Sequence, residues 1–345
     1  MGELVDRLMT GTPVVVVAEA GVNHNGDVNL AHRLVDLAAS AGADVVKFQT
    51  FDASLLASGT APLAPYQADG LAETAPSQKD MLSGVALDSV AWTELAAHAR
   101  ERGIDFMSTP FDLPSADLLE RLDVPCFKVP SGELTNLPFL KSLAARGKPL
   151  LMSTGAATLA EVATAVEAVR DGPPVILMHC VSAYPAPASV ANLQAIVTMR
   201  HEFSIPVGWS DHTIGSVTAI ASVALGATVI EKHITIDTRL PGPDHGASAD
   251  PDAFFRYVES IREAESALGD GTKVPAPVEL PVRDVARRSW HATRDLHAGH
   301  VLRPEDIVAL RPAGGVAPTV EIVGRRLAHD VRSGSAVACD DLESA

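Results

Sequence analysis

The chain has 345 residues, 47% hydrophobic and 20% charged, with a formal net charge of −16; this length suggests one large domain plus something smaller. The acidity argues against nucleic acid or an anionic membrane as a partner, and no apolar run approaches the roughly 18 residues that a membrane helix needs. The first residues lack a cationic segment leading into an apolar one, and Cys126, Cys180 and Cys339 lie outside any CxxC, so a cytoplasmic protein with reduced thiols is expected.

Short β-branched runs alternate with helical patterns from residue 13 to about 268. The strand candidates are 14–18, 44–48, 104–108, 126–130, 149–153, 175–179, 206–209 and 228–233. Between the first two, residues 29–38 carry apolar side chains at helical spacing and stop at Gly42. Thr158-Leu159-Ala160-Glu161 has the form of a capping box. Eight βα units in about 250 residues predict a TIM (β/α)8 barrel. A doubly wound open sheet competes, but it does not predict that nearly every strand ends in a reactive residue. One connection, 52–84, is unusually long and rich in Ala, Pro and Gly, with Tyr66, Gln67, Gln78 and Lys79 interspersed; such loops are commonly functional.

The barrel is expected over 1–270, followed by an extended linker over 271–281. A small module of short strands and turns then fills 282–345. From Val282 onward nine Arg/Lys balance nine Asp/Glu, so the whole charge excess lies earlier. So small a module without a disulfide should dock on its own barrel or on a partner's.

TIM-barrel sites are built at the C-terminal ends of the strands. Those ends read Glu19 with Asn23 and His24; Lys47 and Gln49; Thr109; Lys128 with Ser131 and Glu133; Ser153 and Thr154. The last three are His179 with Ser182 and Tyr184; Ser210-Asp211-His212-Thr213; and Glu231-Lys232-His233. Any one of these is usually a helix cap or a solvated tip. Eight polar ends around one pore are not. His212 and His233 fall on neighbouring strand tips joined by one crossover helix, an arrangement suited to holding one metal ion. Two imidazoles completed by oxygen or water fit a divalent ion, Mn²⁺ first, with Co²⁺, Fe²⁺, Zn²⁺ or Mg²⁺ behind it. Lys47 and Lys128, with Thr109, Ser131 and Ser153, form a candidate cradle for a phosphate and a carboxylate. No GxGxxG or Walker loop accompanies it, so a nucleotide is not the expected owner of that phosphate. Glu19, Glu133 and Glu231 are available for acid–base work, and the turn-rich stretch Pro241-Gly242-Pro243-Asp244-His245 offers Asp244 to a polyol.

At this point the chain resembles the bacterial sialic acid (nonulosonic acid) synthase family. The resemblance is carried by Glu19-Ala20-Gly21-Val22-Asn23-His24-Asn25-Gly26, Lys47-Phe48-Gln49-Thr50, Lys128-Val129-Pro130-Ser131-Gly132-Glu133, His179-Cys180-Val181-Ser182-Ala183-Tyr184-Pro185, Ser210-Asp211-His212-Thr213 and Glu231-Lys232-His233. The tail is similar to the family's antifreeze-like (SAF) domain through Arg287-Arg288-Ser289, Ala298-Gly299 and Arg311-Pro312. The resemblance implies condensation of phosphoenolpyruvate with an N-acetylmannosamine-type sugar, or with a diacetamido-trideoxyhexose as in legionaminate and pseudaminate synthases. It implies His212 and His233 as metal ligands and Lys47, Thr109, Lys128, Ser131 and Ser153 around phosphoenolpyruvate. Gln49, Tyr184, Asp244 and Arg311 would hold the sugar, with Glu19 and Glu133 lining the reacting centre. It further implies a homodimer in which Arg311 of one tail reaches the other subunit's barrel. Ser182 and Trp209 depart from the family's usual residues and are candidates for tuning acceptor choice. A non-catalytic carbohydrate-binding chain is the rival from another class, and the retained histidines, lysines and glutamates argue against it.

Overall fold

The computed structural model describes residues 2–64, 67 and 77–344. Eight parallel strands form one sheet: β1 Val15–Gly21, β2 Val45–Thr50, β3 Asp105–Pro110, β4 Phe127–Val129, β5 Leu150–Ser153, β6 Val175–Cys180, β7 Val207–Asp211 and β8 Val229–His233. Their order is β3-β2-β1-β8-β7-β6-β5-β4, and β3 and β4 approach each other to close a TIM barrel. Every strand expected from the sequence is present, its ends displaced by a few residues at most. Tyr66 of the long connection lies outside the described residues.

Because successive strand side chains point to opposite faces, each strand sorts its own residues. Outward positions such as Val16, Ala18, Val46, Phe48 and Trp209 join the layer beneath the surrounding helices. Inward positions begin apolar, with Val15, Val17, Val45, Met107, Leu151, Ile176, Met178 and Val229 packed together. The helix Glu3–Thr10 seals that floor with Leu4 and Leu8. Two residues further along each strand, the same inward face turns polar. Space inside is tight at Gly208, where an added Cβ would lie 2.4 Å from Val229 Cγ1 and 2.7 Å from Met178 Sδ.

Helix starts follow ordinary capping chemistry. Asp27 caps Val28–Ser40, Asp112 caps Leu113–Arg121, and the capping box at Thr158 and Glu161 opens Leu159–Ala168. The last barrel helix, Pro251–Leu268, is tied back to the first strands. Arg262 bridges Asp44 at 2.8 Å and donates to the Val14 carbonyl, while Glu265 accepts from the Val14 amide. Among the described residues no helix is long and apolar enough to cross a membrane.

The chain divides into two compact units after Gly269. The expected extended linker is corrected in part: a 3-10 turn, Pro277–Glu279, and a short helix, Leu280–Ala286, begin within it. The physical reason is that Pro277 and Pro281 stand in the first turn, where a fixed φ favours helix, and Glu279 accepts a hydrogen bond from the Ala276 amide at 2.7 Å. The second unit holds an antiparallel pair, β9 Ser289–Ala292 and β10 Ile307–Leu310, around a core that includes Leu296, Leu302, Ile322, Leu327 and Val337. Buried Asp306 braces it, accepting from Arg294 at 2.7 Å and from the Arg303 amide at 2.9 Å.

Replacing Gly208 with Ala should overpack the barrel interior and cost about 1–3 kcal/mol. Urea or thermal unfolding measures it, and an unchanged midpoint would contradict the tight inward packing.

Candidate functional site

The polar ends of the inward faces meet in two connected chambers. The inner one, about 70 Å³, is lined by Glu19, Lys47, Thr109, Lys128, Ser153 and Glu231 among others. The outer one, about 300 Å³, takes residues from the long connection and from the loops after β6 and β8. Gln49, Phe111, Pro130, Ser131, Tyr184 and His233 line both.

Register explains the gathering. Glu19 pairs with Lys47 on one side and with His233 on the other, and Ser210 pairs with Glu231. Neighbours in a parallel ladder share a face, so these side chains enter the pore together. Lys47 Nζ lies 2.6 Å from Glu19 Oε2, donates to Thr109 Oγ1 at 3.0 Å, and sits 3.8 Å from Glu231 Oε1. Lys128 Nζ reaches both oxygens of Glu231 at 2.7 Å, and Ser210 Oγ donates to the same carboxylate at 3.1 Å. Burial alone would push the Glu231 carboxyl up, but the Lys128 and Lys47 ammoniums pull it down to about 2. Glu19 moves the other way: burial dominates and raises it despite Lys47. Two carboxyl groups whose surroundings push them apart are suited to different roles, one a fixed anion and one a proton carrier.

His212 and His233 lie with ring centroids 5.6 Å apart, tilted by 56°, and the Tyr184 ring lies 4.1 Å from that of His212, tilted by 36°. Burial lowers both histidines, so both rings are neutral near pH 7. His212 Nδ1 lies 2.6 Å from the Val181 carbonyl; donating there leaves Nε2 with its lone pair. His233 Nδ1 is buried without a hydrogen-bond partner and lies 4.0 Å from Asp244 Oδ2. A neutral imidazole pair with an orphaned ring nitrogen fits a divalent metal. Among the described residues no group of three His, Cys, Asp or Glu is arranged around a common ion, so substrate or water would complete the coordination. Asp244 is pushed up to about 7, by burial first and then by Glu19.

Most sequence-derived candidates therefore converge. Ser131 accepts from the Gly155 amide at 3.0 Å, an approach that a side chain at 155 would block. Gln49 donates to Glu19 at 3.1 Å. Two candidates stand apart. Glu133 lines neither chamber and accepts from Asn136 at 2.7 Å within its own turn. Arg311 is an exposed residue of the second unit. Of the two departures noted, Ser182 lines the outer chamber, whereas Trp209 is fully buried on the outward face of β7.

Sequence reading missed two groups. One is the apolar wall of the outer chamber, Leu56, Met81 and Leu82, within a connection whose pattern gave no single periodicity. The other lies behind the histidines, on the outward face. Tyr257 donates to Asp211 at 2.8 Å, Lys232 lies 3.5 Å from Asp211 and donates to the Thr213 carbonyl, and Asp211 also accepts from the Thr213 amide at 2.8 Å. The alternation of β7 and β8 was the available signal: residues 211 and 232 must face away from 212 and 233.

Comparison with known proteins agrees with this fold. The NeuB family pattern matches residues 34–273, and a SAF domain matches 287–343. The N,N'-diacetyllegionaminic acid synthase of Legionella pneumophila is 44% identical, covering 95% of this chain and 94% of that protein. The pseudaminic acid synthase of Helicobacter pylori is 32% identical, covering 96% of this chain and 98% of that one. Among solved structures, the N-acetylneuraminic acid (sialic acid) synthetase of Leptospira borgpetersenii, in complex with citrate, superposes with a TM-score of 0.69 at 33% identity. It covers 78% of this chain and 90% of that one.

Removing Lys128 should strand a buried carboxylate. Lys128→Met is expected to cost about 3 kcal/mol, and Lys128→Met with Glu231→Gln together should cost less than the sum of the two single changes. Strict additivity in denaturant unfolding would show that the pair is not coupled.

Proposed function

This chain belongs to the NeuB family, and we propose that it condenses phosphoenolpyruvate with the open-chain form of an N-acylated hexosamine, giving a nonulosonic acid and phosphate. The observation that carries this reading is the joining of a small chamber lined by Lys47 and Lys128 to a larger one with glutamine and apolar side chains in its walls, with His233 and Gln49 at the junction. The inner chamber supplies ammonium and hydroxyl donors for a compact anion bearing phosphate and carboxylate. Lys47, Lys128, Thr109, Ser131 and Ser153 hold it. Gln49, Tyr184 and Asp244 hold the sugar so that its aldehyde carbon faces C3 of the enol.

In the reaction C3 of phosphoenolpyruvate bonds to the aldehyde carbon, and water adds at C2. The C2–O bond breaks with loss of phosphate, and the aldehyde oxygen gains a proton. Glu19, which lines the inner chamber and touches Lys47 and Gln49, would carry a proton between water and the new alkoxide. Glu231 stays ionised and fixes both ammonium groups. Glu133, held by Asn136, has no part in this scheme. His212 and His233 would hold a divalent ion, Mn²⁺ by preference, which supplies Lewis-acid polarisation when bound. Arg311, exposed on the second unit, is assigned to the acceptor of a partner's barrel in a homodimer with exchanged tails.

Incubation with phosphoenolpyruvate labelled with ¹⁸O at the bridging oxygen, Mn²⁺ and an N-acetylated hexosamine should release phosphate that carries the label. Label retained in the organic product would exclude C–O cleavage, and no phosphate release with any acceptor would exclude the condensation.

The metal assignment has its own test. His212→Ala and His233→Ala should each weaken Mn²⁺ binding at least about tenfold by calorimetry, with the far-ultraviolet circular dichroism unchanged. Undiminished binding in both would remove the two histidines as ligands.

A further inference from the structure

The proposed condensation gives no part to Asn23, Asn25 or His245. In the fold these residues tie the loop after β1 to the loop after β8, the one that carries Asp244. Asn23 and His245 are fully buried, and Ser248 nearly so. Asn23 Nδ2 donates to the Ile234 carbonyl and to Ser248 Oγ, both at 2.8 Å, and Ser248 Oγ donates in turn to the Asp244 carbonyl at 2.6 Å. Elsewhere along the same loop, Asn25 Nδ2 donates to the Pro241 carbonyl at 2.7 Å, and its Oδ1 lies 3.2 Å from His245 Nε2. His245 Nδ1 lies 2.6 Å from Thr235 Oγ1.

Carbonyl oxygens only accept, so the sense of each bond is fixed. The Ile234 carbonyl sets the orientation of the Asn23 amide, whose Oδ1 is left buried without a partner. An amide kept at that cost is kept for its two donor hydrogens. The Pro241 carbonyl likewise turns Asn25 so that Oδ1 faces His245, which then donates from Nε2 and accepts from Thr235 at Nδ1. Space is set as closely as polarity. At Gly242, where φ is 151°, an added Cβ would lie 2.6 Å from His245 Cδ2 and 2.7 Å from Asn25 Oδ1. Asn25 itself has a φ of 51°, in the left-handed region that Asn enters more readily than most residues.

The object of this clasp is Asp244. Its carboxyl opens on the outer chamber, 4.0 Å from His233 Nδ1, and makes no hydrogen bond among the described residues. Only its main chain is held, by the Ser248 hydroxyl and the Ala247 amide at its carbonyl and by His245 next in sequence. Resting on the condensation proposed above, we propose that Asn23 and Ser248 are positioning residues for the acceptor sugar. They fix the Asp244 main chain and so the direction from which its carboxyl meets the sugar, while Asn25 and His245 hold the rest of the loop. A misplacement of about 1 Å in a binding group can cost on the order of a hundredfold in rate, which is the scale on which such a clasp is felt.

Ser248→Ala removes a single oxygen and is the mildest break in this chain of bonds; thermal unfolding verifies that the variant folds. With whichever N-acylated hexosamine the wild type turns over, kcat/KM for the acceptor should fall by about ten- to a hundredfold. The loss should lie chiefly in the acceptor KM, with the phosphoenolpyruvate KM and the Mn²⁺ affinity unchanged. In an Asp244→Ala background, Ser248→Ala should cost little more, because the residue it positions is already gone. Unchanged acceptor kinetics, or an equal loss in the Asp244→Ala background, would overturn the assignment. The clasp is also read without substrate. The Ala247 and Ser248 amides, which donate to the Asp244 and His245 carbonyls, should exchange with deuterium at least about tenfold faster in Ser248→Ala than in the wild type. Equal exchange would overturn the clasp whether or not any acceptor is turned over, whereas a wild type that releases no phosphate would fail the condensation alone.

Discussion

Glu19, Lys47, Lys128 and Glu231 occupy a space from which solvent is largely removed, and none of the four can be buried there without the others. An isolated ion in such surroundings costs several kcal/mol even after relaxation. The barrel meets the constraint by ladder register, which sets Glu19 beside Lys47, and by letting Lys128 cross the pore to Glu231. The apolar floor below has no polar atoms to share. The charges therefore form one layer, at one depth, and every ligand group must be placed relative to it. Under the proposed condensation, a substrate anion entering here would find ammonium groups already oriented, the preorganisation that electrostatic catalysis depends on.

Much of this was legible before any coordinates. Strand periodicity located all eight strands, and the rule that barrel sites collect at the C-terminal ends put Lys47, Thr109, Lys128, Ser153, His212 and His233 in one place. What could not be read was rotation after a strand stops. Glu133 follows Pro130 and falls in a 3-10 turn, Ser131–Glu133, whose tight pitch carries it out of the pore while leaving Ser131 at the lip. Trp209 was misjudged for a related reason. Its sequence neighbours 208 and 210 face inward, so strict alternation sends its indole outward into the helical layer. The apolar wall of the outer chamber was illegible because Leu56 and Met81 are far apart in the chain, and only tertiary packing unites them.

The two ends of β7 and β8 show how closely separate chemistries can be interleaved. Inward, Ser210, Glu231 and His233 serve the pore; outward, Asp211 and Lys232 bind each other and Tyr257. Consecutive residues thus belong to independent networks, separated by the thickness of one strand. The outward set fixes the Thr213 backbone by its amide and its carbonyl, and so holds the loop that follows His212.

Tyr257 and Arg262 lie on the same helix, Pro251–Leu268, the last of the barrel. One grips the loop beside His212; the other, with Glu265, locks onto Val14 and Asp44 at the opposite end of the chain. The loop beside His212 is therefore braced by a residue that leaves the ribosome after both histidines. A nascent chain that already contains both imidazoles still lacks the Tyr257 brace behind them and the seam by which the last helix holds Val14 and Asp44, so the barrel is tied shut only once its final helix has been made.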